Sequence, residues 1–375
     1  MNNIDLNKYL LKRSLHDIGK PHQKIKNKKF NFFIVVPCYN EFDYIFETLK
    51  SINVQNEKIL KKTLVIIVIN NSIEEIKTIK NNNQNTYQKL INKKYNFDFI
   101  AIDSFSNNYA IPKKLAGVGY ARKIGLDFSL SYILNNKAIL CCLDADTLIS
   151  KDYLKKIKEN FKKNIDVAVI NFKHQKSKNL IIEKGIRQYE NLIKKIAKKI
   201  ELTGSPYGYV SMGSTIVCNV KSYIACGGMN TKKATEDFYF LQALAKYTNI
   251  EKIDDILIFP SSREENRVYL GTGFRMNEYI KNKSFKNLKF SDDSFLEISK
   301  IIKISEKYWA DNYNDLINEM NKKINPLAVE FLIKKDLENI WTKFKKNAKN
   351  KSQFQLFFHQ WFDALSIMQL LKKLN

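Results

Sequence analysis

The stretch that decides the fold reads Ala138-Ile139-Leu140-Cys141-Cys142-Leu143-Asp144-Ala145-Asp146. Its first six residues carry no charge, and a short apolar run of this kind is typical of a strand that is buried on both faces. Two acidic residues follow where such a strand would end. An apolar strand has no structural use for two neighbouring anions, so the stretch predicts a buried strand that leads directly into a site.

Similar apolar runs lie on both sides of this stretch and alternate with segments of helical periodicity. The other strand candidates are 32–36, 64–69, 97–102 and 167–170, and the helix candidates are 45–52, 74–94, 116–134, 153–161 and 180–202. This alternation predicts an α/β fold with a mostly parallel, Rossmann-type sheet flanked by helices. Ligands bind such sheets beyond the carboxyl ends of the strands. Polar clusters follow three of the candidate strands, at 39–41, 70–72 and 144–146.

The chain divides by composition into three regions. Residues 1–30 form a basic extension, in which Leu10, Leu11, Leu15 and Ile18 are expected to share one face of a short helix. Residues 31–289 form the main α/β domain, with a division near residue 150. Strand signals stop beyond about residue 280 and helical signals continue, with Asn325-Pro326 as a helix start and Ser352 as the predicted cap of a last helix. Residues 290–375 are therefore predicted to form a helical C-terminal region.

The formal net charge of +25 has two interpretations. Lysines outnumber arginines by 57 to six, and such a bias is expected when lysine simply fills solvated surface positions. The alternative is attraction to an anionic partner such as a membrane surface, a nucleic acid or a phosphorylated substrate. The scarcity of arginine argues against specific recognition of nucleic acid, which relies on bidentate arginine contacts.

Cysteine usage and hydropathy bear on the compartment. The five cysteines include no Cys-x-x-Cys pair, so neither a disulfide framework nor a zinc site is indicated. The first twenty residues lack the apolar core of a signal peptide, and no run approaches the roughly 18 apolar residues of a membrane span. We therefore expect a cytoplasmic protein, either free or peripheral on the inner face of the membrane.

Asp144 and Asp146 are the strongest chemical signal in the sequence. In extended backbone residues i and i+2 face the same way, so the two carboxylates are expected to converge. A divalent cation resolves their repulsion, and Mg²⁺ or Mn²⁺ takes such oxygen ligands together with substrate phosphates. The alternative is that one of the two caps the following turn.

Three further segments carry candidate site residues. Glu236 and Asp237 open a helix-like run. The pair either supplies a general base that faces the site or forms an acidic first turn, which the helix dipole favours. Arg122 and Lys123 follow Gly117 and Gly119 near a helix start, and are either phosphate contacts or solvated cations after a glycine turn. Arg263 and Arg267 lie before Gly271 and Gly273, and either close over a diphosphate or pair locally with Glu264 and Glu265.

These motifs together resemble the family 2 glycosyltransferases. Val35-Val36-Pro37-Cys38-Tyr39-Asn40-Glu41 is similar to their first strand and loop, and 117–125 is similar to their Gly-x-x-x-Ala-Arg-Asn-x-Gly helix. Leu143-Asp144-Ala145-Asp146 resembles their metal-binding Asp-x-Asp. Gly227-Gly228-Met229 followed by Glu236-Asp237 resembles their acceptor-side motif. The resemblance covers about residues 31–260.

The resemblance implies a GT-A-like fold, with a nucleotide-sugar half at 31–150 and an acceptor half at 151–289. It implies an inverting, hexosyltransferase-like reaction that moves one sugar from a nucleotide-diphosphate donor to an acceptor hydroxyl. Asp237 would be the base with Glu236 beside it, and Asp144 and Asp146 would bind Mn²⁺ or Mg²⁺. The donor would contact Asp144 and the following residues: Pro37, Tyr39, Glu41, Asn70, Arg122, Lys123, Arg263 and Arg267.

The sequence also departs from the family pattern. Asn70-Asn71-Ser72 stands where the family often has Asp-Asp-x-Ser, and Lys123 replaces the usual Asn. A UDP-sugar is favoured over a GDP-sugar. The Gln-x-x-Arg-Trp motif of processive synthases is absent from the sequence, which favours single addition to a glycan, lipid-linked or small-molecule acceptor in glycan, surface polysaccharide or glycolipid synthesis.

Two other functions are compatible with the residues alone. A nucleotidyltransferase also pairs an α/β sheet with acidic metal ligands, but it would release pyrophosphate and would need no base at Asp237. A non-enzymatic module could bind anionic polymers through the basic surface, with an affinity that falls steeply with salt and does not depend on Asp144.

Overall fold

The chain forms two compact units. A computed structural model describes residues 3–15, 19–264, 271–285 and 288–375. Unit 1 comprises Met1–Arg187 and Ser211–Lys283, and unit 2 comprises Gln188–Val210 and Ser284–Asn375. The domain limits 1–30, 31–289 and 290–375 stay a prediction.

Unit 1 contains a nine-stranded mixed sheet in the order β1-β4-β3-β2-β5-β8-β7-β9-β6. The longer ladders are parallel: β2 pairs with β3 and β5, β3 with β4, and β7 with β9. The strands are β1 (Lys20–Pro21), β2 (Phe32–Cys38), β3 (Thr63–Asn70), β4 (Asp98–Ser104), β5 (Ile139–Cys142), β6 (Leu148–Ile149), β7 (Val167–Phe172), β8 (Ile216–Asn219) and β9 (Glu251–Phe259). The predicted α/β fold with a mostly parallel sheet is confirmed.

The centre of the sheet is apolar on both faces. Every residue of β2, β3 and β5 is buried. In the register of the ladders, Phe33 of β2 lies opposite Leu64 of β3 on one side and Leu140 of β5 on the other. Strands covered on both faces need no alternation of polar residues, which is why their continuous apolar runs were readable from the sequence.

Helices flank this sheet. They are α1 (Asn3–Lys12), α2 (Ile45–Asn53), α3 (Glu57–Leu60), α4 (Lys77–Ile91), α5 (Val118–Ser129), α6 (Tyr153–Phe161), the first part of α7 (Leu180–Leu202), α8 (Val220–Ala225), α9 (Glu236–Tyr247) and α10 (Thr272–Asn282), with short 3-10 turns at Leu130–Tyr132 and Gly213–Thr215. Helix α5 packs closely on β2, since a Cβ at Gly125 would lie 2.4 Å from a methyl group of Val35. This contact fixes the helix that carries Arg122.

The antiparallel part of the sheet was not predicted. Strand β8 lies between β5 and β7 and runs antiparallel to both, and β9 and β6 complete that side. Strand β8 has four residues and β6 has two, which is too short for a periodicity to be visible. In β9 the charged residues Asp254 and Asp255 are exposed and interrupt the apolar pattern.

The N-terminal helix α1 packs through a residue other than those predicted. Tyr9 is the buried side chain, whereas Leu11 is 81% exposed, so the predicted leucine face is wrong. The Tyr9 hydroxyl donates a hydrogen bond of 2.7 Å to the buried carboxylate of Asp127 on α5. This hydrogen bond orients α1 relative to α5. Ile18 lies outside the described residues.

Unit 2 is helical, as predicted for the C-terminal region. Besides the last part of α7, it contains α11 (Asp292–Lys307), α12 (Tyr313–Lys323), α13 (Pro326–Lys334), α14 (Leu337–Asn347), α15 (Lys351–Trp361) and α16 (Ala364–Lys373). Its core includes the buried Trp341 and Phe354, whose rings meet edge to face at 4.7 Å. Across the described ranges, no helix has the length and apolar character needed to cross a bilayer.

Helix caps in unit 2 agree with the sequence at one point and differ at two. Asn325 caps α13 with Pro326 in the first turn, as predicted. The predicted cap Ser352 is wrong, because the side chain of Asn350 accepts the N–H of Gln353 instead. The predicted last helix is in fact two, since Asp363 caps a separate helix α16.

Candidate functional site

Asp144 and Asp146 follow β5 in a tight turn. The N–H of Thr147 donates to the carbonyl of Asp144 at 3.1 Å, so the backbone reverses at Ala145 and Asp146. The expectation that extended backbone aligns the two carboxylates is therefore wrong. Each carboxylate instead meets its own arginine: Arg122 contacts Asp144, and Arg263 contacts Asp146.

Arg122 bridges two acidic residues that are far apart in the sequence. Its guanidinium is 1% exposed and lies 2.5 Å from Asp144 Oδ1 and 2.5 Å from Glu236 Oε1. The interpretation of Arg122 as a solvated cation is therefore wrong. Gly213 makes the bridge possible, because a Cβ there would lie 2.6 Å from the guanidinium. The bridge ties the turn after β5 to the start of α9.

The two carboxylates that contact Arg122 stabilise its positive charge. Burial alone would lower the pKa of Arg122, but the charges of Asp144 and Glu236 outweigh burial and raise it. Removing one partner of such a buried pair typically costs about 3–5 kcal/mol, because the other charge is left uncompensated. Arg122 therefore serves both the stability of unit 1 and the position of Glu236.

Glu236 and Asp237 open helix α9 but differ in their surroundings. Glu236 is buried against Arg122, and burial raises its pKa to about 7 although Arg122 opposes the shift. Asp237 is half-buried, and its Oδ1 accepts the N–H of Phe238 at 2.7 Å. Burial raises the pKa of Asp237 as well. Within the described part of the chain, no protein group bonds Asp237 Oδ2, so this oxygen remains available to a substrate.

The residue before this acidic pair has a strained backbone. Thr235 adopts φ 62° and ψ 16°, the left-handed region, which is unusual for a β-branched residue. A conformation of this kind costs about 1–3 kcal/mol and persists only where the surroundings enforce it. Asn230 contributes to that enforcement, because its side-chain amide donates to the carbonyl of Glu236 at 2.8 Å.

Arg263 forms the second bridge. It donates to Glu41 at 2.6 Å and lies 3.1 Å from Asp146, and its guanidinium stacks over Tyr44 at 4.2 Å. The predicted alternative of local pairing is not what the described residues show, since these partners come from two distant loops. Arg267 lies outside the described residues.

The predicted nucleotide-side residues gather at the ends of β2 and β3. Pro37 is buried in β2, and the Tyr39 hydroxyl donates to Glu75 at 2.8 Å. Asn70 ends β3, and its buried side-chain oxygen has no hydrogen-bond partner among the described residues. A buried amide oxygen without a partner indicates a place where a ligand donor fits.

Asn83 on α4 joins the two strand ends. Its side-chain oxygen accepts the N–H of Asn40, and its amide donates to the Asn70 carbonyl and to Asn71 Oδ1, at 2.9, 3.1 and 2.9 Å. The sequence analysis missed this residue. The available signal was its spacing, because Asn83, Thr86 and Leu90 form the buried face of α4.

Lys123 lies in a separate buried cluster. Its ammonium is 3.0 Å from Asp127 and 3.0 Å from the hydroxyl of Tyr9, and Tyr223 donates to the same Asp127 at 2.7 Å. The interpretation as a solvated cation is wrong for Lys123 too. Its role as a donor contact stays a prediction, whereas its contacts bind α1 and α8 to α5.

The glycines of the two predicted motifs have structural roles. Gly227 and Gly228, at φ 88° and 80°, reverse the chain after α8, and a Cβ on Gly228 would meet the Tyr9 hydroxyl. A Cβ on Gly119 would lie 2.4 Å from the Lys232 carbonyl and 2.8 Å from Glu236 Cβ. These glycines therefore allow α5 and the loop before α9 to approach each other closely.

The acidic residues fit a divalent cation only together with a ligand. Among the described residues, no three His, Cys, Asp or Glu side chains form a cluster able to hold a metal. Yet Asp144, Glu236 and Asp237 surround one guanidinium, and Glu41 and Asp146 share another. This excess of negative charge suits a hard cation whose remaining ligands are phosphate oxygens and water.

Comparison with known proteins matches one family model to this chain. Residues 33–216 match the model of the family described as Glycosyl transferase family 2. No curated protein matches the chain. S. aureus TarS 1-349 in complex with UDP-GlcNAc is similar in structure, at 15% identity and a TM-score of 0.42, covering 88% of this chain and 91% of that one. Mannosyltransferase PcManGT from Pyrobaculum calidifontis in complex with GDP-Man and Mn2+ is similar at 12% identity and a TM-score of 0.44, covering 96% of each chain.

The chain thus carries a glycosyl transferase family 2 domain. It is a glycosyltransferase, an enzyme that transfers a sugar from a nucleotide-sugar donor. The two alternatives considered from the sequence, a nucleotidyltransferase and a non-enzymatic anion-binding module, are set aside by this match.

Proposed function

We propose that this enzyme moves one sugar, with inversion, from a nucleoside-diphosphate donor to an acceptor hydroxyl. The observation that carries the proposal is the convergence of acidic residues on two arginines. Asp144 and Glu236 share Arg122, while Asp146 and Glu41 share Arg263. These residues come from the loops that follow β2, β5 and β9, from helix α5 and from the start of α9, so the fold gathers them at one edge of the sheet.

The donor diphosphate is assigned to Asp144 and Asp146 together with a divalent cation, Mn²⁺ or Mg²⁺. When bound, the cation neutralises charge that builds on the departing diphosphate. Arg263 is half-buried against Asp146, so its guanidinium can add positive charge when a phosphate competes for it. Arg122 holds Asp144 in place, and Arg267 and Lys123 remain further predicted donor contacts.

Asp237 is assigned as the base that takes the proton from the acceptor hydroxyl. Its Oδ2 is left open, whereas the carboxylate of Glu236 is engaged by Arg122. Inversion requires the acceptor to attack opposite the leaving group, so the base and the cation must act on opposite sides of the reactive carbon. Glu236 orients the start of α9 and adjusts the charge beside Asp237.

The nucleotide is assigned to Pro37, Tyr39, Glu41 and Asn70 at the ends of β2 and β3. We favour a UDP-sugar over a GDP-sugar, and the buried side-chain oxygen of Asn70 can accept an N–H of the base. The acceptor is a glycan, a lipid-linked sugar or a small molecule, in polysaccharide or glycolipid synthesis. Action in the cytoplasm, with attachment to an anionic membrane surface through the basic residues, stays part of this proposal.

Donor hydrolysis tests the proposal most directly. The purified chain is incubated with UDP-GlcNAc, UDP-glucose, GDP-mannose and dTDP-glucose, with Mn²⁺, with Mg²⁺ or with EDTA, and the released nucleotide is measured. We expect one UDP-sugar to be hydrolysed only with a divalent cation. We expect Asp144→Asn or Asp146→Asn to lose nearly all turnover while remaining folded. Asp144→Asn should melt below the wild type, because Arg122 loses one of its charged partners.

Two results would contradict the proposal. Turnover that is unchanged in EDTA would remove the cation from the reaction. An Asp146→Asn variant that melts far below the wild type, but whose folded fraction turns over normally, would make Asp146 a structural residue only. Lys156→Ala is a suitable control, since Lys156 is an exposed cation that pairs with Asp255.

A further inference from the structure

Unit 2 contains a cavity of about 330 Å³ that the reaction described above does not use. Residues 202–204 form one wall, α11 forms the second and α15 the third. Gly204 has φ 90°, and a Cβ there would contact only a methyl group of Ile302, at 3.7 Å. The turn after α7 therefore leaves space at this point instead of filling it.

His359 borders the cavity, and its ring includes a nitrogen that is enclosed by protein. Nδ1 of His359 is buried and has no hydrogen-bond partner in the described part of the chain. Burial lowers the pKa of His359, although the charge of Glu306 opposes the shift, so a neutral imidazole is favoured. The hydroxyl of Tyr207 donates to the backbone carbonyl of His359 at 2.7 Å and fixes this part of α15.

Charged groups of both signs surround the cavity. Lys303 contributes a positive charge. Glu306 contributes a negative charge, and its pKa is lowered by a hydrogen bond from Gln355 and by Lys351, 3.5 Å away. A phosphate would meet the anion Glu306, and a metal ion would meet the cation Lys303. The polar lining offers both donors and acceptors of hydrogen bonds, which suits a neutral ligand with several hydroxyl groups.

Apolar side chains complete the lining. Leu202 and Phe358 border the cavity beside the polar groups, and the volume is at the low end of the usual range for ligand pockets, about 300–1,000 Å³. A pyranose ring combines an apolar face of C–H groups with a rim of hydroxyls. Such a ligand suits a lining that combines apolar side chains with amide, carboxylate and imidazole groups.

We propose that this cavity binds one or two rings of a neutral carbohydrate, with His359, Gln355 and Glu306 contacting hydroxyl groups. The inference rests on the proposed function in taking this sugar to be part of the acceptor glycan. Binding itself requires neither the donor nor a cation.

The test measures sugar binding by the full chain without donor or metal. Methyl glycosides of glucose, galactose, mannose and N-acetylglucosamine, together with maltose, are titrated and followed by ligand-observed saturation-transfer NMR. We expect at least one of them to bind the wild type and Asp144→Asn equally, because Asp144 belongs to the donor site. Gln355→Leu and His359→Phe should weaken binding at least tenfold. Gln353→Leu is the matched control on the same helix and should bind like the wild type.

Three results would overturn the inference: no binding of any of these sugars, unchanged binding in Gln355→Leu, or loss of binding in Asp144→Asn. Circular dichroism checks the fold of each variant, and Gln355→Leu decides the matter if His359→Phe fails to fold. Failure of the proposed function has a different signature. Donor hydrolysis would then be absent while sugar binding persists and depends on Gln355.

Discussion

At the scale of single residues, two neighbouring carboxylates are placed for different tasks. Glu236 is fixed by the buried guanidinium of Arg122, whereas Asp237 has one oxygen held by the Phe238 N–H and the other open. A fixed carboxylate cannot reach for a proton without losing a strong ion pair. The open carboxylate can, which is why we propose Asp237 as the general base.

Replacing Asp237 separates catalysis from stability. We expect Asp237→Asn to reduce transfer by about 10²–10⁴-fold, the usual contribution of an acid–base group. Donor affinity and melting temperature should stay close to those of the wild type, because the hydrogen bond from Phe238 can persist with an amide. Rates, donor affinity by calorimetry and thermal melting give the comparison.

The matched variant is Glu236→Gln, which weakens the pair with Arg122. It should melt at a lower temperature than Asp237→Asn, since the buried guanidinium loses a charged partner. If Asp237→Asn transfers at nearly the wild-type rate, Asp237 is not the base and the assignment moves to Glu236.

The raised pKa values predict an acid limb in the pH profile. The pKa of Glu236 is raised from 4.5 to about 7 and that of Asp237 is also raised, so the pair holds protons at pH values where exposed carboxylates have lost them. A protonated base cannot accept a proton, so transfer should fall as the pH drops through the raised pKa of Asp237. The profile of kcat/KM between pH 5 and 9 measures this limb.

Glu236→Gln should move the limb to lower pH. Asp237 would then ionise beside a neutral amide instead of a second acid, which removes the repulsion between the two. An acid limb that does not move in this variant, or a wild-type profile that is flat down to pH 5, would contradict the role of the pair.

At the scale of elements, helix α5 organises the site. Gly125 brings the helix against β2, Arg122 joins the turn after β5 to α9, and Lys123 points to the cluster around Asp127. Three neighbouring positions thus serve the sheet, the site and the N-terminal helix. Small displacements of α5 should therefore affect catalysis before they unfold the chain.

Gly119→Ala tests this organisation. The new Cβ would lie 2.4 Å from the carbonyl of Lys232 and 2.8 Å from Glu236 Cβ, so the loop before α9 must move. We expect transfer to fall by at least tenfold, with a smaller loss of stability than a core substitution causes. Turnover and melting temperature are the measurements.

The control for this variant is Val118→Ala, which changes a half-buried neighbour without adding an atom. Normal turnover in Gly119→Ala would show that the close approach of α5 and the loop is not needed for activity. Equal losses in both variants would point to the helix start in general.

At the scale of the whole molecule, unit 2 is built from two separate parts of the sequence. Gln188–Val210 belongs to the same unit as Ser284–Asn375. Within it, Lys199 pairs with Asp292, and Tyr207 donates to the backbone of His359. A segment held in this way depends on residues 93 and 152 positions away.

Truncation after Lys283 should therefore destabilise a segment that remains in the chain. Residues 188–210 would lose their partners, and the apolar side chains of Ala197 and Ile200, buried in the full chain, would be uncovered. We expect trypsin to cleave the truncated chain within 188–210 much faster than the full chain, as mass spectrometry of the fragments would reveal. Equal cleavage rates in the two chains would show that this segment is stable without Ser284–Asn375.

The sequence determined the parallel half of the sheet and the positions of the acidic motifs. Strands β2, β3 and β5 are buried on both faces, and the hydrophobic effect favours apolar residues at every position of such strands. Their sequences are therefore continuous apolar runs. Their carboxyl ends had to carry the polar residues, which is why Asp144 and Asp146 were identified. The helices could be predicted from the helical spacing of their apolar residues, because burial favours apolar residues on the face that packs against the sheet.

Only the tertiary structure decided how these residues are paired. The contacts of Arg122 with Glu236 and of Arg263 with Glu41 join positions 114 and 222 residues apart. An ion pair of this kind depends on distance in space, and local spacing contains no information about it. The burial of Lys123, the bridging role of Asn83 and the cavity lined by His359 were hidden for the same reason, since each depends on partners that the fold brings together.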